Sequence, residues 1–435
     1  MKTRPHTRVA LITLGCSKNT VDSEILLRQL EANGLVLADD PNNADAVIIN
    51  TCGFIDAAKE ESIHTILTAA ERKKQGALER LYVAGCLSER YKDDLSRDIP
   101  EVDAFFGVTD FQRIIETLGG RYRRELLGER HLTTPAHFAY LKISEGCDNP
   151  CSFCAIPLMR GGHVSKPIEE VVHEAKLLAL HGVRELVVIA QDTTYYGLDL
   201  YGERRLAALL RELAHIDGIR WVRLMYAFPT RFPRDVLDVL RDEPSVCAYV
   251  DIPVQHAADD VLKSMRRGIT RRATRELIDE MRARVPGITI RSTMIVGYPT
   301  ETEESFDELL RFVEEIRFDR LGVFTYSQED DTAAFALGDP VPQEEKERRR
   351  AAVMELQAGI SLEKNLAKVG SACEILIDRI EGGYAVGRTE HDAPEVDNEV
   401  LVPLQAFPVP PLIGTFVPVR IVEANEFDLI ATIAG

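Results

Sequence analysis

Short, β-branched apolar runs punctuate the first third of the chain: RVALITLG (8–15), ADAVIIN (44–50) and RLYVAG (80–85). Runs of this length without polar alternation predict strands buried on both faces of a parallel sheet. Between the first two lies SKNTVDSEILLRQLEANG (17–34). Its Ile25, Leu26, Leu27 and Leu30 and its closing Gly34 predict a helix with a glycine C-cap, and SIHTILTAAERKKQG (62–76) reads the same way. Residues 1–130 are therefore expected to form a βαβ-type α/β domain.

A second alternating series follows. FAYLKIS (138–144), ELVVIA (185–190), RWVRLM (220–225), CAYVDIP (247–253), ITIRSTMIVG (288–297) and RLGVFTYS (320–327) read as strands. Helical patterns separate them, such as PIEEVVHEAKLLALHG (167–182) with proline at its start and glycine at its end. Six βα units predict a partial (βα)6 barrel over 131–362, open where an eight-fold barrel would close. The segment 342–370 reads as one long charged helix, its RRR (348–350) a solvated face. From 363 to 435 the pattern changes to CEILIDRI, GYAVGRT, NEVLVPL, TFVPVRIVEAN and FDLIATIAG. These short strands, split by Gly, Pro, Asn and Asp, predict a small antiparallel β-barrel.

Composition narrows the class. Over 435 residues, 45% hydrophobic content with mixed charge is that of a globular protein, and no apolar run approaches the roughly 18 residues of a membrane span. The N-terminus has basic residues but no apolar region with a small-residue cleavage site, so a cytoplasmic protein with no membrane association is expected. Eight cysteines then point to metal binding or catalysis rather than disulfides. A formal net charge of −18 disfavours tight non-specific nucleic-acid binding.

Three of those cysteines, Cys147, Cys151 and Cys154, fall within GCDNPCSFC directly after a predicted barrel strand, at the mouth where barrel active sites lie. Four thiolates would close a metal site. Three on a four-iron cluster leave one iron open to a substrate or cofactor. Zinc is the competing reading, but it calls for a fourth ligand, and the nearest histidine, His163, is nine residues on past two glycines. Cys16, Cys52 and Cys86 each follow a predicted strand of the first domain (ITLGC, IINTC, YVAGC). Parallel strands deliver such residues to one edge, where doubly wound folds bind ligands. Three thiols there can hold a second open cluster; three independent buried small side chains are the alternative. Cys247 and Cys373 fit neither set and read as packing residues.

The Cys-three-Cys-two-Cys spacing, with Phe153 before the last cysteine, resembles the radical S-adenosylmethionine superfamily. With the second thiol set and the C-terminal barrel, the chain resembles the methylthiotransferases of that superfamily over almost its whole length, ending in a TRAM-like domain. The resemblance implies two 4Fe-4S clusters, held by Cys147, Cys151 and Cys154 and by Cys16, Cys52 and Cys86. It also implies two molecules of S-adenosylmethionine, one methylating a cluster-borne sulfur and one cleaved to the radical that abstracts a substrate hydrogen. Phe153, Gln191, Asp192, Gly297 and Pro299 are then expected near S-adenosylmethionine, and His256, Arg266 and Arg267 near the substrate. The loop Gly297-Tyr298-Pro299-Thr300-Glu301 departs from the family's Gly-Phe-Pro-Gly-Glu-Thr at Tyr298 and Thr300.

Family members act on a transfer-RNA adenosine or on an aspartate of a small-subunit ribosomal protein. LGCSKNTVDSE (14–24), NTCGFIDAAKEESI (50–63) and DIPVQHAADDVLKSMRRG (251–268) resemble the ribosomal-protein branch, whereas tRNA-modifying relatives carry Gln-Met in place of Ser17-Lys18 and usually lack Gly53-Phe54. Residues 363–435 carry a net charge of −7, with the acidic run HDAPEVDNE (391–399). An acidic module suits docking of a basic ribosomal protein better than of tRNA phosphates. The expected partners are thus a small-subunit ribosomal protein and an electron donor such as flavodoxin or ferredoxin, with no stable tRNA binding. The alternatives are tRNA methylthiolation and, more remotely, a non-catalytic iron–sulfur or zinc interaction protein.

Overall fold

The computed structural model describes residues 7–434. Its first unit is a parallel sheet of β1 (Arg8–Thr13), β2 (Val36–Leu37), β3 (Ala46–Thr51), β4 (Arg80–Gly85) and β5 (Ala104–Phe105), in the order β2-β1-β3-β4-β5. Alternate residues of β3 feed opposite cores. Val47 and Ile49 pack with Ile66 and Ala70 of helix α2 (Asp56–Lys74) and Leu87 of α3 (Cys86–Asp98). Ala46 and Ile48 pack with Leu26 and Leu30 of α1 (Ser17–Ala32) and Ile114 of α4 (Phe111–Thr117). A sheet covered on both faces needs apolar side chains at successive positions, which is why its strands read as unbroken runs. The two-residue strands β2 and β5 are too short to leave such a signal.

The second unit is a six-stranded parallel sheet of β6 (Phe138–Lys142), then β9 (Glu185–Ile189), β10 (Trp221–Leu224), β11 (Val246–Asp251), β12 (Thr289–Val296) and β13 (Arg320–Thr325) in sequential order. It is open between β6 and β13. The intervening short strands β7 (Ser144–Glu145) and β8 (Val164–Ser165) pair antiparallel and, with helix α5 (Ile156–Arg160) between them, frame the loop of Cys147, Cys151 and Cys154. The outward face packs against the surrounding helices in one large core. In the helix Gln343–Leu366, Arg348 and Arg350 are exposed, but the expectation of a solvated RRR face is corrected at Arg349. That residue is buried and donates to the carboxylates of Glu301 and Glu345, each at 2.7 Å.

The third unit is a closed barrel in the order β14 (Ala372–Glu381), β15 (Tyr384–Arg388), β16 (Val400–Pro403), β18 (Leu429–Ile433), β17 (Phe416–Ala424). It is antiparallel except where β16 and β18 pair parallel: the β17–β18 hairpin returns the chain beside β16 in β16's own direction. Cys247 is buried in the core between this barrel and the six-stranded sheet, and Cys373 lies half-buried in β14.

The acidic run 391–399 is only partly exposed: Glu395 and Val396 lie at the surface, whereas Asp392 is fully buried. Its carboxylates enter the inward face of the six-stranded sheet, which carries charges. Asp392, fully buried, accepts from Arg320 at 2.5 Å, and Asp397 accepts from the Tyr249 hydroxyl at 2.6 Å and from Arg291 at 3.3 Å. Glu395 takes the Tyr140 hydroxyl at 2.6 Å. Arg388 from the small barrel reaches Glu185 at 2.8 Å, and Arg223 bonds both Glu185 and the Glu390 carbonyl. Net charge counted along the sequence cannot distinguish exposed carboxylates from carboxylates that neutralise buried arginines, and here many are of the second kind. Among the described residues no helix is long and apolar enough to cross a membrane.

Removing one member of such a pair leaves the other buried and uncompensated, at a cost of about 3–5 kcal/mol. Arg320→Ala is expected to lower the denaturant midpoint accordingly. Burial works against ionisation of Asp392, but Arg320 and Lys368 hold its carboxyl down at about 2. Its contribution to stability is complete above the ordinary carboxylate range and is lost as pH falls from about 4 towards 2. Unfolding midpoints of wild type and Arg320→Ala should therefore converge across that interval.

Candidate active site

Strands β1, β3 and β4 are neighbours, with Thr13 opposite Asn50 and Thr51 opposite Gly85. Cys16, Cys52 and Cys86 therefore emerge along one sheet edge, and the thiols of Cys16 and Cys52 both bear on that of Cys86. Gly15, at φ +94°, lets the first loop pass over the second: a Cβ there would sit 2.6 Å from Cys52 Cβ. Asn19 stitches the loops together, its Nδ2 donating to the carbonyls of Leu14 (2.8 Å) and Thr51 (3.0 Å).

The second thiol loop leaves β7 through Gly146, at φ +72°, where a Cβ would lie 2.0 Å from the Gly162 carbonyl oxygen. The Cys147 amide donates to Gly161 O at 3.1 Å. Asn149 Nδ2 donates to Asp192 Oδ2 at 2.8 Å and lies 3.5 Å from Cys147 Sγ. Ser152 anchors the far side. Its amide donates to Met265 O, its carbonyl accepts the Ala334 amide, and its hydroxyl bonds Ser264 O and lies 2.9 Å from the Tyr298 hydroxyl. Tyr298, the departure from the family's phenylalanine, thus fastens the cysteine loop. Arg267 Nη1 reaches Cys151 Sγ at 3.2 Å.

Between the two thiol sets runs a network of charges. Arg160, at the end of α5, donates to Asn19 Oδ1 (2.5 Å), Asp22 Oδ2 (3.1 Å) and Glu145 Oε1 (2.8 Å). Lys142 donates to Asp22 and, at 2.7 Å, to Glu145. Gln191 Nε2 joins at Glu145 Oε1, 2.9 Å away. Burial opposes the charge of Arg160, but Asp22, Cys86, Glu145 and Cys16 raise its pKa overall. Burial likewise disfavours Glu145 as an anion, yet Lys142 and Arg160 bring it down to about 2. On the other flank, Glu329 after β13 receives Arg90 of α3 at 2.7 Å and Lys59 of α2 at 2.9 Å. The first domain is thereby fastened at both edges of the open barrel.

Of the remaining residues expected near a cofactor or substrate, Phe153 packs with Ala258, Met265, Tyr298 and Tyr326. Asp192 Oδ1 caps the following turn through the Thr194 amide at 2.8 Å. Gly297 donates its amide to Glu301 at 2.9 Å, and Pro299 is half-buried. His256 is buried, accepts the Ala258 amide on Nδ1 at 3.0 Å and faces Glu301 with Nε2 at 3.3 Å. Arg266 is exposed at φ +55°, whereas Arg267 is buried over the Phe228 ring. Asn19, Asp22, Lys142, Glu145 and Arg160 carry no spacing signal. The one available hint was the lack of a polar outer face on α1, whose Lys18, Asn19, Asp22, Ser23 and Glu24 are all buried.

Three thiols with no fourth side chain suit a cluster with an open corner better than a single ion. Tetrahedral zinc would draw its sulfurs to about 3.8 Å apart, and among the described residues no group of three or more His, Cys, Asp or Glu is placed to hold one metal ion. Burial pushes the Cys86 and Cys154 thiols up to about 12 and Cys147 to about 11. Such thiols would have to give up their protons to any metal they came to bind.

Family matches divide the chain as the fold does. Residues 8–107 match the uncharacterized protein family UPF0004, residues 141–313 the Radical SAM superfamily and residues 369–434 the TRAM domain. Among solved structures, the radical S-adenosylmethionine methyltransferase TsrM from Kitasatospora setae superposes with a TM-score of 0.55 at 15% identity, covering 76% of this chain and 77% of that one. This is a likeness of fold. Fold, thiol sets and domain order together define a radical S-adenosylmethionine methylthiotransferase. Two proteins named ribosomal protein uS12 methylthiotransferase RimO lie close in sequence. That of Cytophaga hutchinsonii is 54% identical over 99% of both chains, and that of Chloroherpeton thalassium is 55% identical over 98% of this chain and 99% of its own. The chain belongs to the ribosomal protein uS12 methylthiotransferase family.

Asp22 is the carboxylate shared by Lys142 and Arg160 across the domain boundary. Asp22→Ala is expected to cost about 3 kcal/mol or more and to separate the first domain's unfolding from that of the barrel. Chemical denaturation followed by fluorescence and limited proteolysis checks both.

Proposed function

We propose that this protein attaches a methylthio group to the β-carbon of an aspartate in ribosomal protein uS12. Near-full-length identity of 54–55% to proteins of that name carries the reading. When bound, two 4Fe-4S clusters and S-adenosylmethionine supply the radical and the sulfur. Cys147, Cys151 and Cys154 would hold the first cluster and Cys16, Cys52 and Cys86 the second. Phe153, Gln191, Asp192, Gly297 and Pro299 border the S-adenosylmethionine site in this reading.

The chain's own contribution is positioning. Asn149 and Ser152 hold the second thiol loop to Asp192 and to Ser264. Asn19 fixes the sheet-edge loops relative to one another, and Arg160 ties that edge to the barrel through Asp22 and Glu145. Ala155 and Met159, just after the last barrel cysteine, pack against Cys86, so the loop of one thiol set touches a cysteine of the other. The residues of this seam would keep the two clusters, when bound, in a fixed relation on either side of the substrate. The protein acts in the cytoplasm in this reading, takes electrons from a flavodoxin- or ferredoxin-type donor and forms no stable complex with tRNA.

Anaerobic reconstitution should load about eight irons per chain, falling to about four in the Cys16→Ala/Cys52→Ala/Cys86→Ala variant; an unchanged iron content removes the second site. Incubation with S-adenosylmethionine, reductant and either a uS12 peptide or tRNA, followed by mass spectrometry, should show a methylthio gain on the peptide aspartate alone. Modified tRNA beside untouched peptide overturns the substrate assignment.

A further inference from the structure

Lys18 is a buried cation without a counter-charge. It stands in the first turn of α1, two residues after Cys16, and is only 7% exposed. Among the described residues its ammonium has no carboxylate or hydrogen-bond acceptor in contact. Its one neighbour of note is the Tyr226 ring, whose centroid lies 2.9 Å from Nζ. Among the described residues every other buried lysine or arginine touches a carboxylate, except Arg267, which bonds a cysteine sulfur and a carbonyl. The position is also the wrong end of a helix for a cation, because the free amides of the first turn already present positive charge. A largely buried lysine at the positive pole of a helix favours an anion beside it.

The surroundings say what that anion is. Tyr226 follows β10 at the C-terminal mouth of the barrel. It is held at φ +59°, a conformation unfavourable for a non-glycine residue, by its amide donating to Asp251 (3.1 Å) and its carbonyl accepting the Thr193 amide (3.1 Å). The ring is thus fixed beneath the ammonium. Next to Lys18, the buried Ser17 hydroxyl has no partner and is a second free polar group. Cys16, beside both, is the exposed member of its thiol set. The unpaired charge therefore sits where the sheet edge faces the barrel mouth, the place a substrate side chain must occupy to meet both thiol sites.

We propose that Lys18 binds the side-chain carboxylate of the substrate aspartate, with the Tyr226 ring as the floor of the subsite. The occupant is a peptide carboxylate, not a phosphate. One ammonium matches a singly charged group, and the Tyr226 ring beside it packs with the aromatic rings of Trp221 and Tyr249. Held by its carboxylate, the aspartate presents its β-carbon, one bond away, to the space between the two thiol sites. This rests on the substrate assignment made above.

The test measures binding as well as turnover. Fluorescence anisotropy of labelled uS12 peptides carrying Asp, Asn or Glu at the target position is read on the reconstituted enzyme, beside KM and kcat for methylthiolation. Wild type should bind the Asp peptide roughly 10- to 100-fold tighter than the Asn peptide, as expected for a charge-assisted contact. Lys18→Met should bind both alike with a correspondingly raised KM, and Lys18→Arg should recover most of the preference. Equal binding of Asp and Asn peptides by wild type overturns the proposal without recourse to any variant, and so does a Lys18→Met enzyme of native circular dichroism that still discriminates. A wild type that modifies tRNA and ignores every peptide overturns the substrate assignment instead, a separate result.

Discussion

Two carboxylates, Asp22 and Glu145, hold the machinery together. Each is shared between Lys142 and Arg160, and the four groups lie where the first domain meets the barrel. Neither thiol set gains anything from its own precise loop unless the other is held at a fixed distance and angle. That fixed relation rests on a cluster whose charges satisfy one another across the domain boundary. Asn19 extends it to the sheet edge and Gln191 to the barrel mouth. Glu329 repeats the arrangement on the far edge of the open sheet, so the first domain bridges the gap that two missing barrel strands would have filled.

The same logic governs the inside of the barrel. In an eight-stranded barrel, apolar side chains fill the centre. Here the inward positions carry Glu185, Arg223, Asp251, Arg291 and Arg320, and the filling is supplied by α1 from one end and by the loop 390–399 from the other. Arg223 is fully buried yet lies between Glu185, the Glu390 carbonyl and the Tyr249 ring, 4.9 Å from its guanidinium. Charge pairs of this sort add little net stability compared with apolar filling, but they penalise any other docking of the three units.

Much of this was legible in the sequence, for a definite reason. The strands bearing Cys16, Cys52 and Cys86 are apolar at successive positions because both faces are covered, so their ends, and the cysteines just beyond, could be placed to within a few residues. The domain order followed from the change of pattern near residue 363. The interior of the barrel was not legible. Strand residues such as Arg223 and Arg291 alternate with apolar ones, and periodicity reports which residues share a face and not what covers it. The acidic run 391–399 misled for the same reason, and so did Arg349. Lys18 was visible only as part of a motif; its isolation is a property of three-dimensional surroundings.

The plug formed by residues 390–399 has a bearing on how the chain comes to be folded at all. Synthesis releases all six barrel strands before this segment, so Arg320 emerges before its carboxylate partner Asp392, whereas Arg291 already has Asp251. The large domain must wait, half-furnished, for a segment that lies about 65 residues beyond its last strand. A barrel without this segment would keep α1 at one end but leave Arg320 buried with its carboxylate partner missing.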